Sequence, residues 1–301
     1  MECCCCYQQT VNLSSTSPKL KVIDYNHRIG CHVNLQRTLF DTLIQPQSEG
    51  CHCVQLYLGN PQTYSCRVLS AEDREHVCRY CDEHNKTFYV HCPLVTFSNL
   101  SNMDSVTKSI NVVSFELQRI QDLPAACVCH MGKCGPKGSI ETLVSSINDI
   151  QVQRGRHPRM DKQLLMETAA GQGSELGKNW EEIRHFFEGI DTNTIGLCLD
   201  TQHLYASGMC DFQTHESIVR LFDQAEEVCP KALKLFHLND SKKPFGSRVD
   251  RHEQIRQGYI WSHNDEGLKA LFDRCFDEGI DLVLETRNPE IDLQLIRKNY
   301  M

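Results

Sequence analysis

Nine residues of two ligand types stand where short apolar runs of the chain end, or just beyond: His91, His130, His203, His237 and His252, with Glu167, Asp200, Asp250 and Glu285. Imidazole and carboxylate without thiolate suit catalytic zinc that keeps coordination positions open. Nine ligands exceed what one ion can use. Because a carboxylate can bridge two ions, nine serve three. Two metal ions about 3.5–4 Å apart clamp the attacking and leaving oxygens of a phosphate displacement, so a multinuclear zinc site points to phosphodiester hydrolysis. A single histidine at a strand end is more often a structural residue. Nine such residues reached from six strand ends are not expected by chance.

These residues need elements that aim them at one place. Eight short β-rich runs recur along the chain, at 28–33, 53–58, 87–92, 126–131, 163–168, 195–200, 233–238 and 281–286. Between them the pattern is helical. Asn179 is an expected N-cap with Glu182 at the capping-box position, and Trp180, Ile183, Phe186, Phe187 and Ile190 form one apolar stripe. Residues 215–228 and 265–276 read as further helices. Eightfold strand–helix alternation predicts an α/β fold, a parallel sheet closed into a TIM (β/α)8 barrel. In such a barrel the C-terminal mouth carries the active site. His91, His130, Glu167, Asp200, His237 and Glu285 end the third to eighth runs. Period-2 alternation puts Leu233, Leu235 and His237 on one face, and likewise Gln163, Leu165 and Glu167, and Asp281, Val283 and Glu285. Asp250 and His252, two apart in the loop after the seventh run, point the same way and can grip one ion.

The chain has 301 residues, more than the roughly 250 typical of a TIM barrel. Residues 1–25, rich in Ser, Thr and Cys, read as an extension, and 26–301 as one barrel domain. Hydrophobic residues are 40% and charged residues 23%, and no apolar run approaches the ~18 residues of a membrane span. A basic segment followed by an apolar stretch is missing from the start, so no secretion signal is read. The expectation is an intracellular protein, cytoplasmic or nuclear, without membrane association, and monomeric. The 18 cysteines would suggest disulfides in a short secreted chain. Here many sit inside apolar runs, as Cys127, Cys129 and Cys198 do, and read as buried small hydrophobes. Alternation turns Cys92 and Cys129 away from the mouth. The adjacent thiols Cys3 to Cys6 cannot all ligate one ion from a regular backbone.

The formal charge of −8 argues against a nucleic-acid partner when taken as a total. Three divalent ions would offset most of it. Lys242, Lys243, Arg248, Arg251 and Arg256 crowd the loop after the seventh run, which opens on the metal face, and phosphate contacts need such cations. A second basic run, Arg154, Arg156, His157 and Arg159, precedes the fifth strand and falls on the opposite face as a solvated loop. His32, just after the first strand, is a candidate phosphate or site contact, with packing as the alternative.

Longer motifs add a resemblance. METAAGQGSELG (166–177), GLCLDTQH (196–203), HLNDSK (237–242), GSRVDRH (246–252) and LET (284–286) followed by Asn288 and Pro289 resemble the endonuclease IV family of apurinic/apyrimidinic endonucleases. The resemblance covers about residues 27–300 and is strongest from 163 onward. It implies a TIM barrel holding three Zn²⁺, with Mn²⁺ as an alternative occupant. The first ion would take His91, His130 and Glu167. The second would take Glu167 as a bridge, with Asp200, His237 and Glu285. The third would take His203, Asp250 and His252. Glu167, Glu285, His130 and Asp200 would surround the reacting phosphate as catalytic residues. The implied substrate is double-stranded DNA containing abasic sites, cut 5′ to the lesion to leave a 3′-hydroxyl, with 3′-phosphodiesterase repair as a related activity. Implied DNA contacts are His32, Gln62, Leu94, Lys242, Arg248 and Arg251. An extruded sugar without a base enters a pocket that excludes normal nucleotides, and extrusion costs least at damage.

The chain departs from the family pattern in places. His130-Met131-Gly132 stands for the usual His-Pro-Gly. Leu94 and Gln62 stand where the family carries a Tyr and an Arg that enter the DNA stack, although Leu94 retains an apolar wedge. Gly258-Tyr259-Ile260-Trp261 replaces Gly-x-Ile-Gly, with Trp261 read as core packing ahead of DNA stacking. These departures bear on how DNA is bent rather than on the metal chemistry. Two rival readings are a sugar isomerase or epimerase on a related barrel, and a non-catalytic DNA- or zinc-binding protein. The first needs one or two ions and no Asp-Arg-His loop. Inactive descendants usually lose ligands, and this chain keeps all nine.

Overall fold

Between the two ends of the eight runs the inward-facing residues are mostly small or apolar, and the outward-facing ones are mostly apolar, so the strands bury both faces. The computed structural model describes residues 28–65, 67–135, 137–150 and 160–300. The N-terminal segment 1–25 with Cys3 to Cys6, and the basic run 154–159, lie outside the described residues. The barrel strands are β1 (Ile29–His32), β2 (Cys53–Leu56), β3 (Thr87–His91), β4 (Ala125–His130), β5 (Leu164–Glu167), β6 (Ile195–Asp200), β7 (Leu233–Leu238) and β10 (Asp281–Leu284). They pair in parallel and in sequence order, and β10 closes onto β1. Each expected run holds one strand, with ends shifted by a residue or two. The antiparallel pair β8 (Asp240–Ser241) and β9 (His252–Glu253) forms a separate two-stranded ribbon above the barrel.

The helices are α1 (Leu39–Ile44), α2 (Ala71–Glu83), α3 (Met103–Arg119), α4 (Ile140–Asp149), α5 (Trp180–Glu188), α6 (Thr201–Ser207), α7 (His215–Val228), α8 (Asp265–Glu278) and α9 (Pro289–Tyr300). The starts of α1 to α8 are set by side-chain caps, which satisfy backbone N–H groups that have no partner within the helix. Asn179 accepts from the Glu182 amide at 2.8 Å, as expected. The Glu182 carboxylate does not complete the capping box. It reaches back past Asn179 to the amides of Gly177 (2.9 Å) and Lys178 (3.4 Å), so it fastens the METAAGQGSELG loop to α5. Thr214 and Ser217 form the full reciprocal box at the start of α7.

Two apolar layers result. Phe88, Val90, Cys127, Cys129, Met166, Leu197, Leu199 and Phe236 face outward under the helices. Cys53, Tyr89, Ala126, Val128, Leu165, Cys198, Leu235 and Val283 fill the interior, as a packed barrel core requires. Below them the buried Asp281 carboxylate accepts from Tyr89 Oη (2.7 Å), Thr87 Oγ1 (3.1 Å) and Arg28 Nη1 (2.7 Å), and closes the floor. Trp261 is fully buried, edge-on to Phe212, and donates from Nε1 to the Asn239 carbonyl at 2.9 Å, so it belongs to the core.

One close approach constrains β1. A Cβ on Gly30 would lie 1.6 Å from the Cys53 carbonyl oxygen of the neighbouring strand. Gly173, at φ +63, has nothing within 4 Å of its would-be Cβ. Gly173→Ala is therefore expected to cost only the left-handed penalty of about 1–2 kcal/mol, a drop in thermal midpoint of roughly 2–8 °C. Gly30→Ala is expected to abolish the cooperative melt followed by circular dichroism. A Gly30→Ala midpoint within a few degrees of wild type would show that the β1–β2 contact can open.

Candidate metal centre

The strand ends bring the expected ligands to one point. Register sets His130 beside Glu167 across β4 and β5, and Asp200 beside His237 across β6 and β7. The second pairing depends on a register shift at Leu197/Cys198, which turns Asp200 and His237 to the same face. Glu167 is the hub. Its buried carboxylate lies 3.0 Å from His237 Nδ1, 3.1 Å from His91 Nε2, 3.4 Å from His203 Nδ1 and 3.6 Å from His130 Nδ1. Glu285, one residue beyond β10, adds a carboxylate oxygen 3.2 Å from His237 Nδ1.

Two local devices place the remaining ligands. Asp200 is the N-cap of α6: its Oδ1 accepts from the His203 amide at 2.8 Å, so one carboxylate both faces the site and sets the helix that carries His203. The ribbon places His252, which pairs with Ser241. Beneath it the Asp240 carboxylate accepts from the backbone amides of Ser241 (2.7 Å), Ile260 (2.8 Å), Gly258 (3.0 Å) and Trp261 (3.3 Å). The loop around the Asp-Arg-His motif is thus clamped to the barrel by one buried side chain.

Among the described residues, three ligand groups have atoms within 4.8 Å of one another: His91, His130 and Glu167; Glu167, Asp200, His237 and Glu285; and Asp200, His203 and His252. The first two have the memberships expected from sequence. The third joins Asp200 to His203 and His252. Asp250 stands beside that group, 3.4 Å from His252 Nε2 and 3.6 Å from His203 Nε2, on a side chain 43% exposed. Capping α6 also brings Asp200 against this pair, 3.9 Å from His203 Nδ1 and 3.8 Å from His252 Nε2.

The donor chemistry fits metal. Nδ1–H of His91 donates to the Cys92 carbonyl (2.7 Å) and Nδ1–H of His203 to the Thr168 carbonyl (2.8 Å), leaving Nε2 of each for the site. Such bonds fix tautomer and ring orientation in metal-binding histidines. His252 Nε2 is buried with no hydrogen-bond partner among the described residues. Burial opposes charge on Glu167, yet the surrounding His130 and His237 hold its pKa well below the usual carboxylate range. Burial likewise opposes charge on His203, and the Asp200 and Asp250 carboxylates override it to push the pKa well up. A nest of carboxylates and imidazoles that needs opposite charge this strongly is one a cation stabilises.

A cavity of about 580 Å³ opens over the groups, lined among others by His32, Tyr57, Leu94, Asp250 and Arg287. His32 packs on Tyr57 with ring centroids 4.8 Å apart, and its Nδ1 lies 3.6 Å from Glu285 Oε1. Leu94, 50% exposed, lines both this cavity and a smaller one of about 190 Å³ beside His130 and Gly132. Gln62 is exposed on the adjoining loop, which is tied to Leu94 through the Leu94 amide and the Pro61 carbonyl (2.7 Å). Lys242, Arg248 and Arg251 lie on the loop that carries Asp250 and His252, and all three are exposed. The Arg256 guanidinium, in the same expected group of cations, is engaged by Asp265 and the Tyr300 hydroxyl. Sequence reasoning passed over Gln55 and Asn239. Asn239 Nδ2 donates to Asp200 Oδ2 at 2.6 Å, and Gln55 Nε2 to Glu285 Oε1 at 2.6 Å. Gln55 shares inward parity with Cys53 in the second run, a signal that was available.

Comparison with known proteins agrees with this geometry. The family model described as "Xylose isomerase-like TIM barrel" matches residues 47–299. A protein named "Probable endonuclease 4" from Alkaliphilus oremlandii is 30% identical over 268 residues, 86% of this chain and 91% of that protein. One of the same name from Symbiobacterium thermophilum is 28% identical over 277 residues, covering 86% and 92%. The crystal structure of endonuclease IV from Thermus thermophilus superposes with a TM-score of 0.75 at 25% identity, over 90% of this chain and 97% of that one. A D-tagatose 3-epimerase-like protein superposes at 0.64 with 14% identity, over 90% and 96%, which is a likeness of fold alone. On matched length, shared identity and barrel geometry together, this chain belongs to the endonuclease IV family within the xylose isomerase-like TIM barrels.

Proposed function

We propose that the chain is a DNA base-excision repair hydrolase that cuts the phosphodiester bond 5′ to an abasic site and leaves a 3′-hydroxyl, with Zn²⁺ as its resident metal and one ion for each ligand group. The observation that carries this reading is the sharing of carboxylates: Glu167 serves two groups and Asp200 serves two, so the three groups form one continuous cluster. Zinc bound there supplies concentrated positive charge and acidifies water for attack on phosphorus at neutral pH. His91, His130, Glu167, Asp200, His203, His237, His252 and Glu285 are the ligands in this reading, and Asp250 completes the third position from the rim. Glu167, Glu285, His130 and Asp200 border the reacting phosphate. The same chemistry suits blocked 3′ ends, a second activity we include in the proposal.

The chain's own surface can hold such a substrate. His32 sits in the mouth, where a phosphate oxygen would meet it. Leu94 stands between two cavities as an apolar wedge, the role an intercalating side chain needs. Lys242, Arg248 and Arg251 flank the mouth as phosphate contacts, and Gln62 lies on the loop beside Leu94. A duplex reaching across this rim suits a monomer. Among the described residues no helix is long and apolar enough to cross a membrane.

Incubation of the purified protein with a labelled duplex carrying one tetrahydrofuran abasic analogue tests the reading. The analogue cannot undergo β-elimination. The expected result is a metal-dependent nick with a 3′ end that a polymerase extends. Intact duplex after treatment with fully metallated protein would overturn the assignment and favour a binding protein or sugar epimerase.

Metal counting is a separate check. Elemental analysis of wild type is expected to give one ion for each of the three groups. His252→Ala is expected to lose one ion, and Glu167→Gln two, because Glu167 belongs to two groups. Equal losses in the two variants would break the shared-carboxylate scheme. Binding to the abasic duplex across a salt series supplies a third test. Lys242→Ala and Arg251→Ala are each expected to reduce the slope of log K against log salt by about 0.9. An unchanged slope would remove that residue from the phosphate contacts.

A further inference from the structure

Gln55 is fully buried on β2, a strand that contributes none of the nine ligands. Its amide touches three residues of the mouth. Nε2 lies 2.6 Å from Glu285 Oε1 and 3.1 Å from His32 Nδ1, and Oε1 lies 2.9 Å from His237 Nε2. The direction of each bond follows from chemistry. An ionised carboxylate only accepts, so the amide nitrogen must face Glu285. The amide oxygen is then left for His237, and an amide oxygen only accepts. His237 Nε2 must therefore carry its hydrogen. That leaves Nδ1 as the one ring nitrogen able to give up a proton and offer a lone pair. Nδ1 is also the atom that faces the carboxylates: Glu167 Oε1 at 3.0 Å, Glu285 Oε2 at 3.2 Å and Asp200 Oδ2 at 3.9 Å.

We propose that Gln55 is a positioning residue of the central ligand group, holding His237 as its Nε2–H tautomer while turning Glu285 so that its other oxygen, which also accepts from Asn239 Nδ2 at 3.4 Å, joins His237 Nδ1. The other buried histidines explain the need. His91 and His203 have their non-ligating nitrogens tied to backbone carbonyls, and so present Nε2. His237 is turned the other way and presents Nδ1. Its Nε2 points across the barrel toward β2, where a side chain has to supply the acceptor. A buried Nε2–H without one would cost about 1–3 kcal/mol, enough to favour the wrong tautomer. A carboxylate at position 55 would accept from His237 equally well but would face Glu285 with like charge. Glutamine meets both neighbours with one planar group.

The inference depends on the mouth holding metal and not on DNA being the substrate. Its test uses Zn²⁺ itself as the probe, in competition with a chromophoric chelator, on wild type, Gln55→Met and Gln55→Glu. Long-range ¹H–¹⁵N spectra of histidine-labelled protein read the His237 tautomer. Loss of such an outer partner typically weakens metal binding about 10- to 100-fold. We expect that loss for one of the three zinc ions in both variants, with the other two unchanged. Gln55→Met is expected to give mixed tautomers at His237. Gln55→Glu, which keeps the acceptor and so also serves should the methionine variant not fold, is expected to keep Nε2–H. Wild-type affinity for all three ions in either folded variant would overturn the proposal, as would an unmixed Nε2–H tautomer in folded Gln55→Met. If wild type binds zinc in this way but leaves the abasic duplex intact, the proposed substrate fails and the role of Gln55 stands.

Discussion

A carboxylate at the centre of four imidazoles governs this protein. Taking Glu167 out of water costs several kcal/mol unless matched by opposite charge and hydrogen bonds. His91, His130, His203 and His237 supply that match from four different elements. Each of those elements is therefore held relative to β5 by the same group. Asp200 extends the arrangement by capping α6, and Asp240 extends it again by clamping the loop behind the ribbon. Rigid placement of this kind is what a multinuclear metal site needs, because ligands held in place lose little freedom on binding.

The barrel beneath is built to support such a cluster. Small and medium side chains, Cys53, Ala126, Val128 and Cys198 among them, pack the interior directly below the ligand layer. Water has little room there, so the electrostatic pull between carboxylate and imidazole is screened less than at a surface. At the opposite end Asp281 gathers Arg28, Thr87 and Tyr89 into a second buried polar network. The two polar layers, one at each end, are separated by an apolar one. Loops at the mouth can then vary without loss of the scaffold, and the changes at Gln62, Leu94 and Trp261 fall in that region. Of these, Leu94 faces the cavities and Gln62 is exposed, while Trp261 has become part of the core.

Much of this was legible in the chain itself. All eight barrel strands were visible as β-rich runs because their outward faces must be largely apolar to lie under helices, and the middle of each inward face must be small or apolar to fit a barrel. The ligands were visible because alternation places Glu167 with Leu165, His237 with Leu235 and Glu285 with Val283. What alternation cannot show is level around the barrel. The register shift at Leu197/Cys198 puts Asp200 beside His237, and nothing in either strand alone announces it. The same holds for which carboxylate joins His203 and His252. Spacing picked out Asp250, two residues from His252, and a helix cap brings Asp200 to the same two histidines as well.

Residue type and period therefore determined the architecture, the identity of the candidate ligands and the end of the barrel they occupy, since these depend only on neighbours along one strand. Tertiary structure alone decided that Asp200 also reaches His203 and His252, which nitrogen each histidine presents, and how Gln55 and Asn239 meet the site. Those properties depend on contacts such as Gln55 with His237 and Glu285, separated by 182 and 230 residues. Hydrogen bonds across such distances are set by how strands stagger when the barrel closes, and no local pattern in the sequence records that stagger.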